Sequence, residues 1–101
     1  MKFSIVIPTL NRWDLLNNCL KSIKENTDLT DGEVIVVSNG CSDHTPFNFA
    51  TNYKDPNFHL IHWPKPLGYP KAVNMGMSAA TGDIVILLNN DTVFLSNTWY
   101  D

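Results

Sequence analysis

Near the end of the 101-residue chain an apolar run, Ile84-Val85-Ile86-Leu87-Leu88, stops abruptly at Asn89-Asn90-Asp91. The run is too short for a helix and rich in β-branched residues, so it reads as a strand buried on both faces, as in a parallel sheet. One carboxylate and two amides then stand at the carboxyl end of a central strand, where open α/β sheets place their ligands. Oxygen donors alone suit a hard divalent cation, Mg²⁺ or Mn²⁺, and such a cation would hold a diphosphate. A polar turn after a buried strand fits the same residues equally well, so the rest of the chain has to decide.

Two further groups could take part. Pro64-Lys65-Pro66-Leu67-Gly68 is a non-helical loop by its prolines and glycine, and Tyr69-Pro70 opens a helix with Lys71 in its first turn. Helix N-terminal N–H groups attract phosphate and Lys71 adds a mobile positive charge, although a solvated helix start has the same composition. The loop Ser38-Asn39-Gly40-Cys41-Ser42-Asp43-His44-Thr45 presents small polar groups that can hydrogen-bond a base or ribose. The same residue types also favour turns.

The elements that position these groups follow from periodicity. Phe3–Ile7, Glu33–Val37 and Phe58–Trp63 read as strands, with Ile84–Leu88 as a fourth. Asn11 is placed to cap a helix over about 12–25, whose apolar face is Leu15, Leu16, Cys19, Leu20 and Ile23. Thr45 and Pro46 suit the start of a short helix reaching about Tyr53. In the helix from Tyr69 to about Ala80, Ala72, Met75, Gly76 and Ala79 would pack on the sheet, while Lys71, Asn74 and Ser78 share another side. Gly82 sits where a helix C-terminal glycine belongs. The tail from Val93 to Asp101 reads as a short strand or the start of another helix. Strands alternating with helices give a parallel, Rossmann-like α/β sheet. The loops at 8–12, 38–45 and 89–92, with the Gly68 loop, then share one polar rim.

Other readings are excluded or bland. With net charge −3 and seven Lys and Arg residues in no basic run, nucleic acid is not expected as a partner. No stretch approaches the roughly 18 apolar residues of a membrane span. The two cysteines, Cys19 and Cys41, make no CxxC pair and suggest free thiols in a reducing, cytoplasmic setting. Cys19 lies on an apolar helix face. His59 and His62, three apart on a strand, point to opposite faces and cannot share a metal. Trp13, Trp63 and Trp99 read as packing residues, and His44 as a loop residue away from any ligand. Neither a Gly-x-Gly-x-x-Gly fingerprint nor a P-loop is present.

Ser4-Ile5-Val6-Ile7-Pro8-Thr9-Leu10-Asn11-Arg12 resembles the opening signature of the family 2 inverting glycosyltransferases with a GT-A fold. Val36 to Thr45 is similar to their second signature, and Gly68, Lys71, Ala72, Asn74, Gly76, Ala79 and Gly82 to their third. Asn89-Asn90-Asp91 resembles their metal-binding D-x-D motif in its N-x-D form. The resemblance runs from Phe3 to about Thr92. It implies a three-layer GT-A-type sandwich, with residues 1–101 as one nucleotide-diphospho-sugar-binding domain lacking the acceptor half. It also implies a UDP-sugar or another nucleotide sugar, with Mn²⁺ or Mg²⁺.

Carried over, Pro8, Thr9, Asn11 and Arg12 would line the nucleotide pocket with Asn39 and Gly68. Ser38 would face the base with Asp43 nearby, and Lys71 would reach base or phosphate from a helix face that Asn74 supports. Asn90 would sit by the ribose, and Asp91, with Asn89, would hold the metal. The family commonly has Asp where this chain has Ser38, and a neutral hydroxyl makes the weaker hydrogen bond. No residue matches the family's catalytic base. The expected function is transfer or hydrolysis of the sugar of a metal-bound nucleotide sugar, its acceptor unspecified. The alternative is a non-catalytic nucleotide-sugar-binding module. A short core and a bare sheet edge also suggest a homodimer.

Overall fold

The computed structural model describes residues 2–66 and 68–93; the expectations for the tail and for Trp99 fall outside them. The elements are β1 (Phe3–Thr9), α1 (Trp13–Asn26), β2 (Gly32–Asn39), α2 (Thr45–Asn52), β3 (Phe58–Trp63), α3 (Tyr69–Ala79) and β4 (Ile84–Leu87). All four strands run parallel in the order β3-β2-β1-β4. Parallel pairing requires crossovers, and the helices supply them on both faces. Leu16, Cys19, Leu20 and Ile23 of α1 and Phe49 of α2 pack on Ile5, Ile7, Val34 and Val36. Ala72 of α3 packs on the alternate residues Val6, Ile35 and Val37 of the other face. The three-layer α/β sandwich is the expected one.

Strand order corrects one expectation. β4 pairs with β1 on one side only, and no described strand covers its other edge. Ile84 and Leu87 are therefore 47% and 44% exposed, and among the described residues the run lies at the edge of the sheet. Its continuous apolar pattern follows from contact with both helical layers, since Ile86 and Leu88 join one core and Val85 the other.

Three local assignments also change. Asn11 does not cap α1; Arg12 occupies the cap position, and both have left-handed φ, 57° and 63°. The left-handed region is costly outside glycine, and Asn tolerates it best. Gly82 is not a helix terminator, because α3 ends at Ala80 in extended backbone. A side chain at Gly82 would lie 2.6 Å from the Phe3 carbonyl carbon, so the glycine permits close approach of the chain to β1. Thr45 is the first helical residue of α2, with His44 at the cap. Of the tryptophans, Trp13 packs edge-on against Tyr53 with centroids 6.1 Å apart, whereas Trp63 is exposed. Ala79, expected on the sheet, is exposed as well.

At the amino ends of the strands a polar knot ties α3 to the sheet. The Glu33 carboxylate accepts from Ser4 Oγ at 2.6 Å, Thr81 N at 2.7 Å and Thr81 Oγ1 at 2.8 Å. Gly82 N–H donates to Ser4 Oγ at 2.9 Å. Burial pushes the Glu33 carboxyl up, but the hydrogen bonds from Ser4 and Thr81 outweigh it and the net displacement is downward.

Candidate functional site

The chain moves from β1 outward to β2 and β3, then returns under α3 to β4 on the other side of β1. The direction of winding therefore switches between β1 and β4. Open α/β sheets leave a crevice at the carboxyl ends of the strands at such a point. A cavity of about 540 Å³ lies there, lined by Pro8, Thr9, Leu10 and Arg12 at and just after the end of β1, Asn39 at the end of β2, Pro66, Gly68 and Tyr69 before and at the start of α3, and Asn89, Asn90 and Asp91 after β4; Leu15 of α1 completes it.

Long-range hydrogen bonds hold the rim together. Asn90 Nδ2 donates to Thr9 Oγ1 at 3.0 Å, and that hydroxyl donates to Asn11 O at 3.3 Å. Asn11 Oδ1 accepts from Ser42 N at 2.9 Å and from Asp43 N at 3.2 Å. Its left-handed backbone turns this side chain onto the β2 loop, so Asn11 joins two loops and does not cap a helix. Cys41 Sγ accepts from Asn11 N at 3.1 Å and donates to Thr9 O at 3.6 Å. Asp43 accepts from Thr45 N at 2.9 Å; burial raises its carboxyl and the Thr45 hydrogen bonds outweigh that, leaving it lowered.

The backbone of Asn89-Asn90-Asp91 is the polar turn of the sequence reading. Asn89 O accepts from Thr92 N at 3.2 Å, which makes the segment a β-turn. Leu88 N–H donates to Val6 O at 3.0 Å, so the turn emerges beside β1 and opens into the cavity. Beneath it, Cys19 Sγ lies 4.0 Å from Asn89 O. Burial, with the negative charge of Asp91 adding to it, pushes the Cys19 thiol up to about 12, so it stays protonated.

Arg12 is the cation on the cavity wall. Its Nε and one Nη bond Asp14 at 3.1 and 3.0 Å, both groups being exposed. Among the described residues no cluster of three His, Cys, Asp or Glu side chains forms a metal cage. Asp91 with the Asn89 amide still suits Mg²⁺ or Mn²⁺, which are commonly held by one or two carboxylates and completed by phosphate and water.

Of the residues singled out from sequence, Pro8, Thr9, Arg12, Asn39, Gly68, Asn89, Asn90 and Asp91 meet at this cavity. Asn11 and Asp43 stand behind it, holding loops. Ser38 is fully buried, its Oγ 2.8 Å from His62 Nδ1. Lys71 and Asn74 line a separate groove of about 560 Å³ with Ile61, Met75, Ser78 and Ala79. Leu10, Leu15, Pro66 and Tyr69 were not anticipated on the wall, since apolar wall residues carry no local signal. The sequence excludes only a metal shared by His59 and His62, and the register that sets His62 opposite Ser38 brings it to notice.

Fold and site together define a GT-A-type α/β domain with a polar cavity at its switch point. The chain belongs to glycosyl transferase family 2, whose pattern matches residues 4–101. It is 31% identical over 100 residues to the O-antigen biosynthesis protein RfbC of Myxococcus xanthus, covering 99% of this chain and 8% of that protein. It is 33% identical over 97 residues to the GalNAc(5)-diNAcBac-PP-undecaprenol beta-1,3-glucosyltransferase of Campylobacter jejuni, covering 94% of this chain and 31% of that one. The mannosyltransferase PcManGT of Pyrobaculum calidifontis, solved with GDP-Man and Mn²⁺, superposes with a TM-score of 0.85 at 26% identity, covering 95% of this chain and 29% of its own. S. aureus TarS 1-349 in complex with UDP-GlcNAc superposes with a TM-score of 0.84 at 25% identity, over 96% of this chain and 28% of that one. The chain thus spans less than a third of each of these proteins. No described helix is long and apolar enough to cross a membrane.

Proposed function

We propose that this domain binds the nucleoside diphosphate of a nucleotide sugar, a UDP-sugar in the first instance, and serves as the donor-binding part of a metal-dependent glycosyltransferase. The observation that carries the reading is the convergence of Thr9, Arg12, Asn39, Asn90 and Asp91 on one cavity at the switch point. GDP-Man with Mn²⁺ in one structural neighbour and UDP-GlcNAc in another support it. Asp91 and the Asn89 amide are the oxygen donors for Mn²⁺ or Mg²⁺, which when bound neutralises a diphosphate as it leaves. Arg12 offers its remaining N–H donors to phosphate oxygens. Asn90, braced on Thr9, fixes the turn that carries Asp91 and faces the ribose side. Titration calorimetry with UDP and Mn²⁺ tests the reading: wild type binds, and Asp91→Ala loses metal-dependent binding.

One observation favours a second reading, a binding module without catalysis. Asp91 is the only carboxylate on the described cavity wall, and no histidine lies there to accept an acceptor's proton. Release of UDP from UDP-sugars, with and without acceptor alcohols, separates the two. We also propose homodimer formation through β4, whose outer edge no described strand covers and where Ile84 and Leu87 are exposed. Light scattering over a concentration series that shows monomer throughout removes the dimer.

A further inference from the structure

Asn11 and Arg12 are consecutive left-handed residues, with φ of 57° and 63°, and neither is glycine. A side chain makes that region costly, and such a backbone persists only where its surroundings hold it. The loop after β2 supplies most of the holding. Asn11 N–H donates to Cys41 Sγ at 3.1 Å, and Asn11 Oδ1 accepts from Ser42 N and Asp43 N at 2.9 and 3.2 Å. From β1, Thr9 Oγ1 donates to Asn11 O at 3.3 Å. The N–H of Arg12 acts in turn on the Asp43 carboxyl, which burial raises and hydrogen bonds from Thr45 and Arg12 lower. Arg12 O then accepts from Leu16 N at 3.2 Å, which starts α1.

The Arg12 side chain lies on the cavity wall but is exposed, with Asp14 two residues on as its partner. Its direction is therefore set by its backbone and not by packing around it. Asn11 does not line the cavity. Resting on the nucleotide reading above, we infer that Asn11 is the positioning residue for Arg12: its clasp on the β2 loop fixes the left-handed pair that turns the guanidinium toward a bound diphosphate. Asparagine suits the role because it tolerates the left-handed region better than most residues, and its amide oxygen takes two N–H groups at once. Glycine would satisfy the backbone and lose the clasp, whereas aspartate would keep both the conformation and the acceptor.

The test is titration calorimetry with UDP and with inorganic pyrophosphate, each with Mn²⁺. It compares wild type, Asn11→Gly, Asn11→Asp, Arg12→Ala and the double variant carrying Asn11→Gly and Arg12→Ala. Asn11→Gly, whose backbone accepts the native conformation, should lower both affinities about tenfold, the value of one hydrogen bond to a charged group. Arg12→Ala should lower them by a similar factor, and the double variant should fall no further, because Asn11 acts through Arg12. Asn11→Asp should recover much of the loss. Losses that multiply in the double variant show a structural role alone and overturn this inference. Wild-type affinity in Asn11→Gly or in Arg12→Ala also overturns it, as does Asn11→Asp binding no better than Asn11→Gly. Wild type that binds neither ligand overturns the nucleotide reading beneath it.

Discussion

The side-chain amide of Asn90 donates to the hydroxyl of Thr9 across 81 residues of sequence, at 3.0 Å. This one bond joins the end of β1 to the turn after β4 and fixes the mouth of the cavity. Asn90→Ala should therefore cost about 1 kcal/mol, a fall in Tm of about 4–8 °C, and Thr9→Val should cost a similar amount. Calorimetry should show metal-dependent nucleotide binding weakened in both. Unchanged melting in both variants would show that the bond does not hold these two segments together.

Asp91 is the only described carboxylate on the cavity wall. Asp91→Asn preserves shape and removes charge, so nucleotide affinity in Mn²⁺ should drop at least about a hundredfold, the loss expected when a charged group at a cation site is neutralised. Chelating the metal should bring wild type down to the variant's affinity, and should not affect the variant. Equal metal dependence in the two proteins would place the cation elsewhere.

Glu33 contributes to stability in a pH-dependent way. Its carboxyl lies below the ordinary value of about 4.3 in the folded chain, so its contribution is present above that value. It is lost as pH falls through the lower, folded-state value. Glu33→Gln should destabilise the chain by about 1–2 kcal/mol at pH 7, since it weakens three charge-assisted hydrogen bonds. Denaturant melts of the two proteins should converge as pH falls through that folded-state value. A gap that persists unchanged into acid would remove the charge from the explanation.

Gly76 is buried on α3, and a side chain there would collide with Val6 and come within 3.1 Å of Val37 Cγ2. Glycine to alanine inside a helix ordinarily gains up to about 1 kcal/mol. Here overpacking should reverse the sign, and Gly76→Val should cost about 1–3 kcal/mol. A more stable Gly76→Ala variant would mean that the contact between α3 and β1 yields easily.

The sequence by itself determined the layers and the chemical inventory of the rim. Runs such as Glu33–Val37, and a helical stripe such as Leu16, Cys19, Leu20 and Ile23, carry their structure in local periodicity. The abrupt change from Leu88 to Asn89 marks a strand's polar end in the same way. Tertiary structure alone decided which of these polar ends meet. β4 lies beside β1 at the edge of the described sheet, Asn11 bridges two loops from a left-handed backbone, Ser38 turns into the sheet toward His62, and Lys71 belongs to another groove. The reason is that burial and hydrogen-bond partners are set by strand order and register, which join residues 24 to 81 positions apart. Periodicity over a few neighbouring residues contains no information at that range.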